Sequence, residues 1–139
     1  PGGGPPLPPR YNLTAALLGR RLAAGDGGRV ALIDATRTWT YDEIAALTGQ
    51  VGHALAALGV RREERVLIAL PDSVEFVATF LATIAVGAVA VPCNTFLGPT
   101  EYAYFLAESR APVVVTTTAM AGALATALDG APWLEAVLA

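Results

Sequence analysis

The residue types of acid–base and nucleophilic catalysis lie together at Asp72, Ser73 and Glu75. The two carboxylates have the spacing of a capping box, in which the first side chain accepts a hydrogen bond at a helix start and the second reaches back. No Gly-x-Ser-x-Gly turn surrounds Ser73 or Ser109, and His53 is the only histidine. Helix capping therefore accounts for these residues, and we predict no catalytic residue in the chain.

Phosphate binding has one candidate segment, GDGG at residues 25–28. It lacks the Gly-x-Gly-x-x-Gly spacing and follows no predicted strand, so we interpret it as a helix stop. A Walker A loop requires lysine, whereas all nine basic residues are arginines. The chain's own residues are thus expected to bind no cofactor.

Cys93 is the only cysteine and His53 the only histidine, and no cluster has metal-ligand spacing, so we predict no metal site. Cys93 ends an apolar run and is interpreted as a small packing residue rather than a reactive thiol. His53 lies off the apolar stripe of its helix and is interpreted as a surface residue. A single cysteine also favours a reducing, cytoplasmic compartment.

The loop of Asn94, Thr95 and Phe96 is the best candidate for contact with a ligand. It follows a predicted strand at residues 89–92, and open α/β sheets bind ligands at the carboxyl ends of their strands. The alternative is a plain turn that leads into the next helix.

Composition limits the classes of function. The 139 residues carry a net charge of −3, which gives no sign of a nucleic-acid partner, and 54% of them are hydrophobic. Part of this surplus is alanine, and the rest predicts surface that another part of a larger protein covers. Residues 76–91 carry no charge, but a membrane-spanning helix needs about 20 residues and Gly87 interrupts the run, so we expect no membrane span.

The elements that must position these residues follow from periodicity. Residues 1–11, rich in proline and glycine, are predicted to be a flexible tail, and residues 12–139 the folded unit. A helix is predicted over residues 12–24, capped by Asn12, followed by a strand at 30–34 that pairs with Thr38 and Trp39 in a hairpin.

Thr40 and Glu43 form a second capping box, which opens a helix that Gly59 stops. Its apolar stripe is Tyr41, Ile44, Leu47, Val51, Leu55 and Leu58. Buried strands are predicted at residues 65–70, 89–92 and 113–116, and a last strand within 133–139. A helix capped by Asp72 is predicted at 72–86, and another from Pro99 onward. A further helix, capped by Thr118, is predicted at 118–128.

This alternation indicates an α/β fold: a mostly parallel sheet with helices on both faces. Several segments resemble the amino-terminal part of the adenylate-forming ligases. They are WTYDEI (39–44), LGVRREERVLIALPDSVEF (58–76) and GAVAVPCNTFLGPTEYAYFLAESRAPVVVT (87–116). Residues 12–34 and 93–111 are similar to aryl-CoA ligases, benzoate-CoA ligases in particular.

The resemblance implies the amino-terminal subdomain of a ligase that uses ATP, Mg²⁺ and coenzyme A. In that reaction a carboxylate becomes an acyl-adenylate with release of pyrophosphate, and the thiol of coenzyme A then displaces AMP. The phosphate loop and lysines of that chemistry have no counterpart here, so the fragment alone is expected to be inactive. The implied partners are the remainder of the same ligase chain and a small carboxylic acid.

Four positions depart from the family pattern. Glu63 and Glu64 stand where the family has Gly and Asp, and Asp72 where it has Asn. Phe96 stands where some relatives carry a basic residue near the coenzyme A path, which argues against a phosphate contact at this position. Two alternatives stay open: an adenylation domain that loads a carrier protein of a polyketide or peptide synthase, and a non-catalytic remnant that binds a partner.

Overall fold

A computed structural model describes Pro8 and residues 10–139. The predicted flexible tail therefore lies almost wholly outside the described residues. In chain order the strands are β1 (Val30–Ile33), β2 (Thr38–Thr40), β3 (Arg65–Ala69), β4 (Val89–Pro92), β5 (Val113–Thr116) and β6 (Ala136–Leu138). The helices are α1 (Ala15–Gly19 in π-helical form, continuing as Arg20–Ala23), α2 (Tyr41–Ala57), α3 (Val74–Ala85), α4 (Pro99–Ser109), α5 (Thr118–Ala123) and α6 (Ala125–Asp129).

The main sheet has four parallel strands in the order β4-β3-β5-β6, and β1 and β2 form a separate antiparallel pair. The predicted α/β fold with a mostly parallel sheet is confirmed. β3 lies inside the sheet, and its residues 66–69 are fully buried because helices cover both faces.

The helices divide between the two faces as predicted. Leu55 of α2 and Ala82 of α3 pack with Val66, Ile68 and Val113 on one face. On the other face, Leu67 and Val114 pack with Tyr102 and Leu106 of α4, with Leu124, and with Ala127 of α6. The two inner strands, β3 and β5, therefore contribute alternate side chains to two separate cores.

A third cluster joins α1, α2 and α3 to the β1–β2 hairpin. Leu18, Ile44, Val74 and Leu81 form its buried centre, and Leu32 and Trp39 of the hairpin pack against it. The hairpin therefore packs against helices, and within the described residues it forms no strand pairing with the main sheet.

The predicted start and end of α2 are confirmed. Glu43 N donates to Thr40 Oγ1 at 3.3 Å, and Thr40 N donates to Glu43 Oε2 at 2.8 Å. Gly59 follows the helix in the left-handed region at φ 84°. Within the stripe Ile44 and Leu55 are buried, and Leu47 and Val51 between them are half-buried. Leu58 at the end is 36% exposed.

Some local predictions were wrong. Ser73, not Asp72, caps α3, because its extended backbone brings Oγ within 3.3 Å of Phe76 N. Thr117, not Thr118, caps α5 by accepting from Met120 N at 3.2 Å.

Two elements also differ from their predicted form. The single helix predicted at 118–128 is divided at Leu124, whose backbone leaves helical geometry while its side chain enters the core. β4 is only partly buried, with Val89 41% exposed, because it lies at the edge of the sheet. None of the helices in the described part of the chain is long and apolar enough to cross a membrane.

Candidate functional site

The candidate loop, Asn94 to Phe96, follows the carboxyl end of β4, as predicted. Cys93 N donates to Ile68 O at 2.9 Å, which carries the sheet pairing up to the loop. Asn94 Oδ1 then accepts from Phe96 N at 2.9 Å. This is an Asx turn, so the amide of Asn94 sets the local shape of the loop.

A side chain of helix α4 holds the backbone of the loop in place. Tyr102 is fully buried, and its hydroxyl donates to Asn94 O at 3.0 Å. Burial, with a smaller effect of Cys93, raises the pKa of Tyr102 to about 12, so the phenol stays protonated and keeps this bond at neutral pH. Glu101 accepts from Gly98 N at 3.1 Å and fixes the helix start just after the loop.

The three candidate side chains differ in exposure. Phe96 is 96% exposed, Asn94 is exposed and Thr95 is half-buried. A cleft of about 370 Å³ lies beside them, lined in part by Val91, Cys93, Leu97, Phe105 and Glu108. The loop thus offers a free aromatic ring on a fixed backbone and no ionisable group of its own. That arrangement suits stacking or apolar contact, not proton transfer.

Cys93 is half-buried beside this cleft, and its thiol donates to Val91 O at 3.7 Å. Burial raises the pKa of Cys93 to about 11. Because the thiolate is the reactive form, the thiol is poorly placed as a nucleophile, in agreement with a packing role.

The other candidates for chemistry are dispersed. Asp72 and Glu75 are exposed around the cap of α3, and His53 is exposed on α2 as predicted. Segment 25–28 ends α1, with Gly25 at φ 79°, and Asp26 pairs with Arg21 at 3.2 Å and Arg29 at 3.3 Å. The interpretation of this segment as a helix stop is confirmed.

One crevice was missed by sequence reasoning. The chain leaves β3 toward α3 on one face and β5 toward α5 on the other, so the adjacent carboxyl ends of β3 and β5 form a topological switch point. An apolar space of about 460 Å³ opens there, lined in part by Leu70, Val115, Thr116, Thr117 and Leu138. Strand order, which sequence periodicity does not contain, is the signal that locates it.

Three of the hydroxyls around this crevice already have partners within the fold. Thr116 Oγ1 donates to Ala69 O at 3.0 Å, and the hydroxyls of Ser73 and Thr117 cap helices. The crevice therefore offers mainly apolar contact, with the exposed carboxylate of Glu75 at its border.

The side chains present do not fit the triphosphate of ATP or a resident Mg²⁺. The 139 residues contain no lysine, and the described residues contain no group of three or more His, Cys, Asp or Glu that could hold a metal ion. We therefore derive no catalytic step from them.

Comparison with known proteins gives consistent matches. The model of a family described as "AMP-binding enzyme" matches residues 20–138. A benzoate–CoA ligase of Thauera aromatica is 38% identical over 130 residues, which cover 93% of this chain and 25% of the relative. A 4-hydroxybenzoate–CoA/benzoate–CoA ligase of Rhodopseudomonas palustris is 35% identical over 129 residues, 93% of this chain and 24% of the relative.

Among solved structures, an anthranilate CoA ligase in complex with anthranoyl-AMP superposes with a TM-score of 0.88 at 34% identity. The match covers 94% of this chain and 25% of that one. The chain thus spans about a quarter of the length of the relatives that it matches.

Proposed function

The chain belongs to the family of AMP-binding enzymes, and we propose that it is the amino-terminal part of an ATP-dependent ligase. This ligase joins an aromatic carboxylic acid to coenzyme A. The observation that carries the proposal is the likeness to a benzoate–CoA ligase, at 38% identity over 93% of the chain. In domain terms, residues 12–139 are the amino-terminal subdomain, and the remainder of the ligase chain is its partner.

The chemistry assigned to the complete enzyme follows from the poor reactivity of a carboxylate. Its negative charge repels nucleophiles, and oxide is a poor leaving group. In the complete enzyme ATP would convert the acid to an acyl-adenylate with release of pyrophosphate, and the thiol of coenzyme A would then displace AMP. Mg²⁺ would stabilise the negative charge of the phosphates. The groups that stabilise these charges belong to the rest of the ligase chain, because this part carries none of them. Its own contribution is the sheet and the loops that border the site.

The test compares the 139-residue chain with the full-length ligase that contains it. Each is incubated with ATP, Mg²⁺, coenzyme A and benzoate, 4-hydroxybenzoate or anthranilate, and acyl-AMP and acyl-CoA are measured by mass spectrometry. We expect acyl-CoA from the full-length chain only. Acyl-AMP made by the purified 139-residue chain would refute the proposal that the catalytic groups lie in the rest of the ligase chain.

Two other outcomes would redirect the assignment. A full-length chain that transfers the acyl group to a carrier protein and not to coenzyme A would be a loading domain of a synthase. A protein that forms no adenylate from any acid tested would favour the non-catalytic, partner-binding role.

We further propose that Asn94, Thr95 and Phe96 border a ligand in the complete enzyme. The support is the position at the carboxyl end of β4, together with an aromatic ring that is 96% exposed on an anchored loop. In the full-length ligase, Phe96→Ala should raise the KM of one substrate about tenfold, the loss of roughly 1.4 kcal/mol of contact, with the thermal midpoint unchanged.

The matched control is Tyr104→Ala, which removes an aromatic ring that is 62% exposed on α4, outside the loop. The substrate whose KM changes identifies the ligand. Unchanged KM values for the acid, ATP and coenzyme A would leave the loop as a plain helix-entry turn.

A further inference from the structure

The β1–β2 hairpin is a sheet of only two strands. Within the described part of the chain, each strand has one neighbour and one free edge. A two-stranded hairpin is marginally stable alone and gains stability from further strands or from helices that pack on it.

The hairpin nevertheless has a fixed inner side. Trp39 packs on the cluster shared by α1, α2 and α3, and its indole Nε1 donates to Asp34 Oδ2. The guanidinium carbon of Arg37 lies 3.4 Å from the centre of the Trp39 ring. The strands are therefore held in place before anything binds their outer side, which lowers the entropy cost of adding a partner.

The outer side carries two exposed apolar side chains on β1, whose cross-strand partners are Thr40 and Thr38 of β2. Val30 is 53% exposed and Ile33 is 74% exposed, one at each end of β1. β-branched residues stabilise sheets through contacts with cross-strand neighbours, and β1 has such a neighbour on one side only. Charged side chains, which commonly protect a free strand edge, are absent from residues 30–33.

We propose that a further β-strand, from the part of the ligase chain outside residues 1–139, adds to the free edge of β1 and covers Val30 and Ile33. This inference rests on the proposed function, because the relatives are about four times longer than this chain and supply the missing sequence. The partner is an extended segment with apolar side chains toward Val30 and Ile33. Backbone hydrogen bonds supply its affinity, as in strand addition generally.

Amide hydrogen exchange tests the proposal without reference to catalysis. In the 139-residue chain, amides of β1 that point to the free edge should exchange rapidly. In the full-length ligase the same amides should exchange at least about tenfold more slowly, while those of β3 stay protected in both proteins. Equal exchange of β1 in the two proteins would overturn the proposal.

A second copy of the chain is the competing occupant. If the 139-residue chain is a dimer by light scattering and its β1 amides are already protected, the edge pairs with another copy and the intrachain strand is wrong.

Ile33→Lys supplies a second readout. The lysine is solvated in the 139-residue chain, so its thermal midpoint should not change, whereas in the full-length ligase the added strand should open and β1 should lose its protection. Ala57→Lys, at an exposed position near the end of α2, is the control and should leave both proteins unchanged. Retained protection of β1 in full-length Ile33→Lys would contradict the proposal.

These results separate the inference from the proposed function. A full-length chain that protects β1 but makes no acyl-CoA keeps the added strand and loses the ligase assignment. A full-length chain that makes acyl-CoA but leaves β1 unprotected keeps the ligase assignment and loses the added strand.

Discussion

Thr48 on α2 is 6% exposed, and its Oγ1 has no hydrogen-bond partner among the described residues. Other buried threonines do have partners. Thr14 Oγ1 donates to Leu81 O at 2.7 Å, and Thr83 Oγ1 donates to Thr79 O at 2.8 Å. A buried polar group without a partner costs about 1–3 kcal/mol relative to one that is solvated or bonded.

Thr48→Val should therefore raise the free energy of unfolding of this chain, by about 1 kcal/mol, because valine has nearly the same shape and removes the isolated hydroxyl. Urea unfolding at neutral pH measures the change. The matched substitution Thr83→Val removes a hydroxyl that is bonded and should lower the same free energy by about 1 kcal/mol. Changes of the same sign in both variants would contradict this account.

Asp34 organises the turn between β1 and β2. Its Oδ1 accepts from Thr36 Oγ1 at 2.6 Å, Thr36 N at 2.7 Å and Arg37 N at 2.9 Å, and its Oδ2 accepts from Trp39. The hydroxyl of Thr36 first, and then the amide of Arg37 and the indole of Trp39, hold the pKa of Asp34 well below its usual value. Each of these donors favours the charged carboxylate.

Because the pKa of Asp34 is lowered on folding, the stability that it contributes is fully present above the unfolded pKa of about 4 and is lost as the pH falls below it. Asp34→Asn should therefore lower stability at neutral pH and flatten the decline of the unfolding midpoint between pH 5 and 2. Denaturation at a series of pH values measures both effects. Asp129→Asn, at an exposed helix end, reports what the loss of one surface charge does by itself. A decline as steep as that of the parent chain would exclude Asp34 as its source.

At the scale of elements, Gly27 governs the approach of the α1–β1 connection to α2. Gly27 is buried, its carbonyl accepts from Asp42 N at 2.9 Å, and a Cβ at this position would overlap the Asp42 carboxylate. A Cβ at Gly28 would meet nothing within 4 Å. Gly27 therefore allows the chain to approach the start of α2 closely. Gly28 has no such contact.

Gly27→Ala should lower the free energy of unfolding by about 1 kcal/mol, because the exposed Asp42 side chain must leave its rotamer to make room for the methyl group. Gly28→Ala is the matched control and should change it little. Adding Asp42→Ala to Gly27→Ala should restore part of the loss, which thermal unfolding of the three variants and the parent chain measures. An equal loss in the two alanine variants would point to a backbone conformation that alanine tolerates poorly, rather than to the contact with Asp42.

Local signals predicted most elements because they arise within a few residues. The capping box of Thr40 and Glu43, the left-handed Gly59 and the apolar run of β3 all describe short-range geometry. The same reasoning failed where two neighbours compete for one role, as Asp72 and Ser73 do at the start of α3. Spacing allows either residue to cap, and the backbone at Ser73 decides.

At the scale of the whole molecule, the two cores meet at β3 and β5, so these strands should be the most stable part of the chain. Hydrogen exchange should therefore be slowest for amides of residues 66–69 and 113–116 and markedly faster for the β1–β2 hairpin. A uniform exchange rate would mean that the chain opens only as one cooperative unit.

For the candidate site, sequence reasoning predicted one feature and missed another. The loop at residues 94–96 was predicted because it follows a strand directly, and its role as a ligand contact stays a prediction. The crevice between β3 and β5 was missed, because the segments that form it lie about 45 residues apart in sequence and meet only through strand order. Periodicity describes each strand, whereas the neighbours of a strand depend on how its connections cross the sheet.

The strand order β4-β3-β5-β6 also suits vectorial synthesis on a ribosome. β3 emerges first, β4 can pair with one of its edges, β5 with the other, and β6 then pairs with β5. Each new strand meets an edge that is already available, and none must be inserted between two strands that have already paired. The main sheet can therefore grow outward from β3 in the order in which its strands leave the exit tunnel.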